Sequence, residues 1–298
     1  MAGKFYLAPK SRGLLQIAGE DRRTFLQGLI SNDVTLVDGG RAIYASLLTA
    51  QGRFLHDFFV SEFDDGFFLD AEAERIDDLK RRLSLYRLRS KVALAAPIDT
   101  HRVAILFGDD ALRSLDLPED PGRAMSFAGG VVYVDPRLTM LGARAILPSD
   151  RQSALEHAGF IPGDPEAYEE LRLALGVPDG SRDLPVEKAL LLENGFDELH
   201  GVDWKKGCYV GQELTARMKY RALIRKRLMP VRVDGTLPRA GTPIMLGDQE
   251  AGEMRSGHRQ LGLALLRIDM VEQAEREARH LTADGASLTP VRPAWAEF

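Results

Sequence analysis

Short runs of large apolar residues, separated by turn-forming residues, dominate this 298-residue chain. The clearest example lies at 42–71, where three runs rich in Phe, Leu, Ile and Val are separated by AQGR and DDG. Such runs with Gly and Asp between them predict an antiparallel meander. Helical patterns occur between the strand-like runs without the regular alternation of a parallel sheet. The sequence therefore predicts an α+β fold.

Three helices are predicted from capping residues and apolar spacing. The first follows Asp21, its predicted N-cap, and the third runs from Asp164 to a stop at Gly176. The second lies within 73–90, where apolar residues recur every three or four positions up to Tyr86. That spacing is typical of an amphipathic helix with one buried face.

The last part of the chain has a different sequence pattern. From Arg227 onward, RLMPVRV, TPIML, LGLALLRI and ASLTPVRP are broken by Gly and Pro at close intervals. Such short runs indicate a small barrel or sandwich. Because domains usually contain ~100–200 residues, we predict two regions, 1–225 and a β-barrel domain at 226–298.

Composition is that of an ordinary globular protein, with 45% hydrophobic and 28% charged residues. No apolar run approaches the ~20 residues of a membrane span, and the start of the chain lacks the apolar core of a signal peptide. These features predict no membrane association and a cytoplasmic location. The formal charge of −5 gives no general attraction to nucleic acid.

The single cysteine, Cys208, lies in WKKGCYVGQE. It cannot form an internal disulfide, and the cations Lys205 and Lys206 would favour its reactive thiolate if they face it. A packed, unreactive thiol is the alternative, and pairing with a histidine base is another. Iron–sulfur clusters usually need about four thiolates, so any cluster at Cys208 requires ligands from a partner or a small thiol.

A second candidate is Asp57, an acid within the otherwise apolar run FLHDFF. Strand periodicity places it on one face with Leu55 and Phe59. A carboxylate there would match the adjacent N–H groups of a pterin or similar heterocycle. The alternatives are a solvated face or a structural salt bridge.

A basic segment runs from Lys205 to Arg227, where eight lysines and arginines face a single acid, Glu213. Aromatic residues, including Tyr220, lie among them, an arrangement that would suit a nucleic-acid backbone and its bases. A solvated face, or a pocket for a small anion, is the alternative. The acidic net charge argues against nucleic acid as a partner.

The motif KKGCYVGQELTAR closely resembles the K-G-C-Y-x-G-Q-E motif of YgfZ-type folate-binding proteins, relatives of the glycine-cleavage aminomethyltransferase. DRRTFLQGLISNDV, LLTAQGRFLHDFFV and LYRLRSKV are also similar, which extends the resemblance from Arg12 to about Val233. GVPDGSRDLP, GQELTAR and IRKRLMPV look most like the Iba-type mitochondrial branch, which serves iron–sulfur cluster assembly.

The resemblance implies a three-lobed, cloverleaf, aminomethyltransferase-like folate-binding fold that ends in a small β-barrel. It implies tetrahydrofolate as cofactor and a role in maturation of [4Fe–4S] proteins, alongside A-type iron–sulfur scaffold or carrier proteins. Lys206 and Cys208 would be the functional residues, with Lys206 holding the thiolate and Cys208 acting as nucleophile or as a transient cluster ligand shared with the partner. The predicted cofactor-binding residues are Asn32, Asp57, Arg89, Glu193, Tyr209, Gln212, Glu213 and Arg217.

Two departures from the aminomethyltransferases bear on activity. Those enzymes have a glutamate in R-L-E-A-G that contacts the pterin, whereas RLALG places Ala174 there. They also have two consecutive acids where this chain has His56 and Asp57. A folate-dependent one-carbon transferase therefore fits less well than an assembly factor. A folate sensor or interaction module without chemistry is the other alternative.

Overall fold

The computed structural model describes residues 3–221 and 224–298 as two compact units. The first unit comprises Met1–Leu48, Leu55–Asp164 and Leu199–Val210. The second comprises Thr49–Phe54, Pro165–Glu198 and Gly211–Phe298. The division into regions 1–225 and 226–298 stays a prediction. Within the described residues, no helix is both long and apolar enough to cross a membrane.

The first unit contains two sheets and three short α-helices. Its strands are β1 Phe5–Leu7, β2 Arg12–Ala18, β3 Ile43–Leu48, β4 Phe54–Phe63, β5 Gly66–Glu72, β6 Ala93–Ala95, β7 His101–Phe107, β8 Ala124–Phe127, β9 Gly130–Val134, β10 Ala143–Pro148 and β11 Ile161–Pro162. Its helices are α1 Arg22–Gln27, α2 Ile76–Ser84 and α3 Ser153–His157.

The predicted meander is confirmed. Strands β3, β4 and β5 are consecutive neighbours in a five-stranded sheet of order β3-β4-β5-β2-β6. The other sheet has the order β11-β1-β7-β10-β9-β8, in which β1 and β11 pair in parallel. Every residue of β4 from Phe54 to Val60 is buried, so both faces of this strand are covered. Its two-residue periodicity therefore does not separate a buried face from a solvated one.

The helices of the first unit are shorter than their sequence patterns. Helix α2 buries Ile76, Leu79 and Leu83 as predicted, but it ends at Ser84 and leaves Tyr86 exposed beyond it. Asp21 occupies the N-cap position of α1 without capping it, because its carboxylate accepts from the Lys91 backbone N–H at 2.7 Å. Tertiary contacts thus override the local helix signals at both sites.

In its described residues, the second unit contains four α-helices and the predicted barrel. The helices are α4 Pro165–Ala174, α5 Gly180–Asp183, α6 Gln212–Tyr220 and α7 Ile268–Arg276. The strands are β12 Lys226–Asp234, β13 Pro243–Leu246, β14 Gln249–His258, β15 Leu261–Arg267, β16 Leu281–Ala283 and β17 Ala286–Pro290. They form a closed barrel of order β12-β15-β14-β13-β16-β17, in which the pairing of β12 with β17 closes the ring. The α+β class and the C-terminal barrel are confirmed.

Candidate functional site

Cys208 lies exposed on an irregular segment of the first unit, which we call the cysteine loop, residues 203–210. Both ends of this loop are fixed to the segment that follows α1. The Asp203 N–H donates to the Ser31 carbonyl at 3.1 Å, and the Val210 N–H donates to the Gly28 carbonyl at 3.1 Å. The loop therefore presents the thiol to solvent on a backbone that is anchored on either side of it.

Lys206 strengthens this anchoring. Its ammonium donates to the carbonyls of Ile30 at 2.6 Å and Asn32 at 2.7 Å, and it lies 5.1 Å from the centre of the Tyr209 ring. The Asp203 carboxylate in turn accepts from the Lys206 backbone N–H at 2.7 Å. These contacts fix the loop residue two positions before the cysteine. That Lys206 also holds the thiol as a thiolate stays a prediction.

Burial lowers the pKa of Lys206 to about 8, while the carboxylates of Asp33 and Asp203 act in the opposite direction. The ammonium keeps its charge at neutral pH and loses it in mildly alkaline solution. Because its N–H groups are directed at carbonyl oxygens, the charged form is the one that its neighbours favour. Lys206 therefore contributes a charged ammonium to the cysteine loop at neutral pH.

Asn32 is part of the same anchoring arrangement. Its side-chain amide donates to the carbonyls of Tyr44 and His200, both at 2.7 Å, and its oxygen accepts from the Asp33 N–H at 2.8 Å. Both donor hydrogens are therefore used within the protein. The side chain of Asn32 joins the segment after α1 to β3 and to His200, and its backbone carbonyl accepts from Lys206. Its predicted role in cofactor binding stays a prediction.

Asp57 is 3% exposed on β4. Its Oδ2 accepts from the Tyr44 hydroxyl at 2.8 Å, whereas its Oδ1 has no hydrogen-bond partner among the described residues. Burial raises the pKa of Asp57, and the positive charges of Arg12 and Arg137 act against that rise. A buried carboxylate oxygen without a donor is unfavourable unless it is protonated or a ligand supplies the missing N–H.

A buried charge cluster near Asp57 was not anticipated from the sequence. It consists of three arginines and two aspartates whose side chains are at most 8% exposed: Arg12, Asp70, Asp135, Arg137 and Arg144. Asp70 lies at its centre, since its two oxygens accept from Arg12 at 2.6 Å and from Arg144 at 2.7 Å. Three cations face two acids within the cluster, so Asp57 acts as the third negative charge when it is ionised.

The other acid of the buried charge cluster is Asp135. It accepts from Arg137 at 3.0 and 2.8 Å and from Arg144 at 3.2 Å. Burial alone would raise the pKa of Asp135, but the Arg137 guanidinium holds it below its ordinary value. The Arg144 guanidinium also lies 3.8 Å from the centre of the Phe59 ring, a cation–π contact. The sequence offers one signal for this cluster, an acid inside the apolar run FFLDA.

His56, which stands where the aminomethyltransferases have an acid, is buried and contacts Asp78 of α2 at 2.9 Å. Burial lowers the pKa of His56 to about 4, so the imidazole is neutral at physiological pH. Asp78 also accepts from Arg82 at 2.7 Å. The residue therefore joins β4 to α2, and its ring is engaged in that contact.

The remaining predicted cofactor-binding residues are dispersed. Arg89 is exposed on the chain that follows α2 of the first unit. In the second unit, Gln212 begins α6, and Glu213 and Arg217 pair with each other at 3.3 Å on its exposed face. Burial raises the pKa of Glu193, against the effect of nearby cations led by Lys226. Their roles toward a cofactor stay predictions.

The basic segment from Lys205 to Arg227 is divided between the two units, and not all of its described cations are exposed. Arg227 is buried and donates to the Leu192 carbonyl at 2.6 Å and to Glu198 at 2.9 Å. Within the ranges that the structure describes, no group of three or more His, Cys, Asp or Glu side chains could hold a metal ion. The role of Cys208 as a cluster ligand shared with a partner stays a prediction.

The fold has a close counterpart among solved structures. The glycine cleavage system aminomethyltransferase T from Bartonella henselae superposes with a TM-score of 0.76 at 15% identity, over 99% of this chain and 87% of that chain. A family model described as the CAF17 C-terminal β-barrel domain matches residues 225–298. The chain thus has an aminomethyltransferase-like fold that ends in a β-barrel of the CAF17 type.

Comparison with sequence relatives identifies the family within this fold class. The human protein named iron-sulfur cluster assembly factor IBA57, mitochondrial, is 36% identical over 274 residues, which cover 86% of this chain and 75% of that protein. The mouse protein of the same name is 34% identical over 88% of this chain and 77% of its own length. The chain belongs to the IBA57 family of iron–sulfur cluster assembly factors. Folate binding and the closer link to YgfZ-type proteins stay predictions.

The predicted cytoplasmic location is wrong by this comparison. The relatives from human, mouse and Neurospora crassa are all named as mitochondrial proteins. The lack of a long apolar run in the sequence does not distinguish one aqueous compartment from another.

Proposed function

We propose that this protein assists the assembly or transfer of iron–sulfur clusters, with Cys208 as an exchangeable ligand supplied to a cluster that a partner protein also holds. The observation that carries the proposal is the placement of the only cysteine, exposed on a loop anchored at both ends. The IBA57 relatives support the assembly role. A-type iron–sulfur carriers are the proposed partners.

The chemistry of the thiol explains why such a site needs a partner. A cluster usually takes about four thiolate ligands, and this chain contributes one. A single ligand on an exposed loop is suited to transient coordination, because a thiolate from the recipient protein can replace it by ligand exchange. The anchored backbone limits the conformational entropy that the loop would lose when the shared cluster forms.

The first prediction concerns Cys208→Ser. In cells that lack the natural protein, we expect the variant to restore little or none of the activity of a [4Fe–4S] dehydratase, whereas the unchanged protein restores it. A serine hydroxyl is a poor ligand for iron–sulfur clusters, so the shared site would be lost without a change in side-chain size. Dehydratase activity in extracts, corrected for enzyme abundance by immunoblot, is the measurement.

Ser126→Ala, an exchange at an exposed position of β8, serves as the control and should restore full activity. A [2Fe–2S] enzyme measured in the same extracts separates a general loss of cluster supply from a defect in [4Fe–4S] maturation. Full dehydratase activity with Cys208→Ser, at normal abundance of the variant, would remove the thiol from the proposed function.

We also propose that the protein binds tetrahydrofolate through Asp57. The fit rests on the unpartnered Oδ1, an acceptor that the adjacent N–H groups of a pterin ring can satisfy. Bound folate would supply a reduced heterocycle that can carry one-carbon units or act only as a ligand. Methyl transfer is not proposed, because Ala174 provides no carboxylate at the position where the aminomethyltransferases have one.

The second prediction follows from the protonation of Asp57. Asp57→Asn should weaken tetrahydrofolate binding by about 10–100-fold, the usual effect of losing a hydrogen bond to a charged group. N–H donors favour the carboxylate, whereas burial raises the pKa of Asp57 in the free protein. Affinity should therefore fall with falling pH, by up to about tenfold per unit below that pKa. Titration calorimetry over a pH series measures both effects.

Tyr44→Phe provides a matched control. It removes the donor to Oδ2, which raises the pKa of Asp57 further, and leaves Oδ1 in place. The decline in affinity should therefore begin at a higher pH than in the unchanged protein, whereas Asp57→Asn should show no pH dependence from this group. Equal affinities of the Asp57→Asn variant and the unchanged protein at all pH values would contradict the folate proposal.

A further inference from the structure

The chain that follows α2 carries an exposed apolar surface. We call residues 85–91 the LYRLRSK loop. Leu85 is 67% exposed, Tyr86 is 41% exposed and Leu88 is 88% exposed. Scattered single apolar residues are normal on protein surfaces, but three exposed ones within four positions are a concentration that favours an interaction site.

Leu88 is also held in an unfavourable backbone conformation. Its φ of 41° is in the left-handed region, where a side chain with a Cβ is strained. Among the described non-glycine residues with positive φ, it is the one with a large aliphatic side chain. Neither burial nor backbone preference favours leucine here. Such a conflict with local stability is a reason to look for a binding role.

The LYRLRSK loop borders a groove against α1. The groove has a volume of about 790 Å³ and is lined by Asp21, Thr24, Phe25, Leu88, Arg89 and Ser90. The Lys91 N–H donates to the Asp21 carboxylate at 2.7 Å, which fixes the end of the loop to the start of the helix. Leu88 and Phe25 are the large apolar residues that line the groove and would contact an apolar side chain from a partner.

The LYRLRSK loop carries two arginines, Arg87 and Arg89. Arg87 and Arg89 are exposed, and among the described residues neither guanidinium forms a salt bridge. Lys91, in contrast, pairs with Glu20 at 2.8 Å. The protein as a whole carries a formal charge of −5, so these two free cations are a local feature. They would attract carboxylates that flank an apolar residue of a partner.

We propose that the groove between the LYRLRSK loop and α1 docks a partner protein through a segment with apolar residues and flanking carboxylates. The inference rests on the proposed function, because the partner would be the iron–sulfur carrier that shares a cluster with Cys208. Helix α1 connects the two places. Its C-cap residue, Gly28, contacts Val210 of the cysteine loop, and a six-residue helix is only ~9 Å long.

An anionic membrane surface is the other occupant that cations and apolar residues would suit. The structure favours a protein segment, because the apolar residues Leu88 and Phe25 line a groove that accommodates an inserted side chain. Binding to lipid is therefore one of the outcomes that the experiment must separate.

The experiment measures the affinity of the full-length protein for a purified A-type iron–sulfur carrier by titration calorimetry. Leu88→Gly should weaken binding by about tenfold, the usual effect of losing a well-packed interface residue. Glycine adopts a positive φ without strain, so the thermal midpoint should not fall. Leu88→Asn, which also tolerates this conformation, should weaken binding similarly and separates loss of the apolar group from added flexibility.

The arginines are tested by the double variant Arg87→Glu/Arg89→Glu. It should weaken binding by about tenfold or more and remove most of the salt dependence of the association rate. Arg113→Glu, another exposed arginine of the first unit, is the matched control and should bind as the unchanged protein does. Vesicles that contain phosphatidylglycerol are titrated in parallel with all variants.

Three results would overturn the proposal: no binding of the carrier by the unchanged protein, equal binding by the surface variants, or lipid binding that is lost with Leu88→Gly. The surface variants retain the thiol, so their binding is independent of the Cys208→Ser experiment. Equal carrier binding together with a Cys208→Ser defect would remove the docking surface and leave the assembly function. Weakened carrier binding together with a fully active Cys208→Ser variant would remove the thiol from the proposed function and leave the docking surface.

Discussion

Asp70→Ala should lower the free energy of unfolding of the first unit by about 3–5 kcal/mol, the usual cost of removing one partner from a buried ion pair. The Asp70 side chain is fully buried and accepts from both Arg12 and Arg144. Without this carboxylate, the buried guanidinium groups of Arg12 and Arg144 lose their shared negative partner. Only the carboxylates of Asp135 and Asp57 then remain nearby to balance their positive charge. Like charges in a medium of low polarity repel strongly.

The two tryptophans allow the two units to be followed separately. Trp204 belongs to the first unit and Trp295 to the second. In a Trp295→Phe background, urea unfolding followed by Trp204 fluorescence reports on the first unit. The Asp70→Ala transition should shift to a much lower urea concentration, with a change of slope if the unit loosens before it unfolds.

Asp110→Ala is the matched control for the loss of an aspartate. Asp110 pairs with Arg113 at 3.4 Å, but both side chains are more than half exposed. Surface pairs of this kind contribute about 0–1 kcal/mol, so the transition should barely move. A transition of Asp70→Ala that coincides with that of Asp110→Ala would mean that water or rearrangement compensates the buried guanidinium groups.

The cluster around Asp70 shows why the sequence revealed one part of the site and not the other. An acid inside an apolar strand is visible in the local pattern, and this is how Asp57 was selected. Its arginine neighbours, Arg12 and Arg137, lie 45 and 80 residues away, and each of them resembles an ordinary surface residue in its own segment. Spacing along the chain carries no information about such pairings. The motif around Lys206 has the same limit, because the carbonyls it contacts lie 174 and 176 residues away in sequence.

The sequence correctly predicted structural elements that depend on neighbouring residues, and it mispredicted those whose ends depend on tertiary contacts. Gly and Pro between short apolar runs indicated the barrel, because turn residues act within a few positions. Tyr86 was assigned to α2, since the apolar spacing continues past Ser84. The chain leaves the helix there and exposes Leu85, Tyr86 and Leu88. The apolar spacing that predicts a buried helix face therefore corresponds to an exposed apolar surface after Ser84. The docking proposal is based on this exposed surface.

Arg172→Met should destabilise the second unit by a similar amount, about 3–5 kcal/mol. Arg172 donates to Asp183 at 2.8 Å, to Glu169 at 2.7 Å and to the Ser256 hydroxyl at 2.9 Å. Burial would lower the pKa of this guanidinium, but Asp183 and the other acids raise it. Methionine fills a similar volume, so the expected loss comes from the buried carboxylate of Asp183 that is left without its cation.

A double-mutant cycle separates the ion pair from packing. Asp183→Asn alone should also destabilise, and the double variant Arg172→Met/Asp183→Asn should recover part of the loss, because the uncompensated charge is removed. Arg259→Met is the control, since this exposed arginine reaches Glu166 and Glu170 on the same helix, α4, in a surface pair. Its effect should stay below about 1 kcal/mol.

Trp295 is a direct reporter for this measurement, because its indole N–H donates to the Leu175 carbonyl just after α4. In a Trp204→Phe background, its fluorescence should follow the release of α4 from the barrel strand that carries Ser256. Arg172 and Ala174 both belong to RLALG, the segment that matches the R-L-E-A-G stretch of the aminomethyltransferases. If Arg172→Met destabilises as expected, the arginine of this stretch has a structural role that is independent of the missing glutamate. A variant as stable as Arg259→Met would show instead that Asp183 is satisfied by its backbone donors alone, and that the arginine serves another purpose.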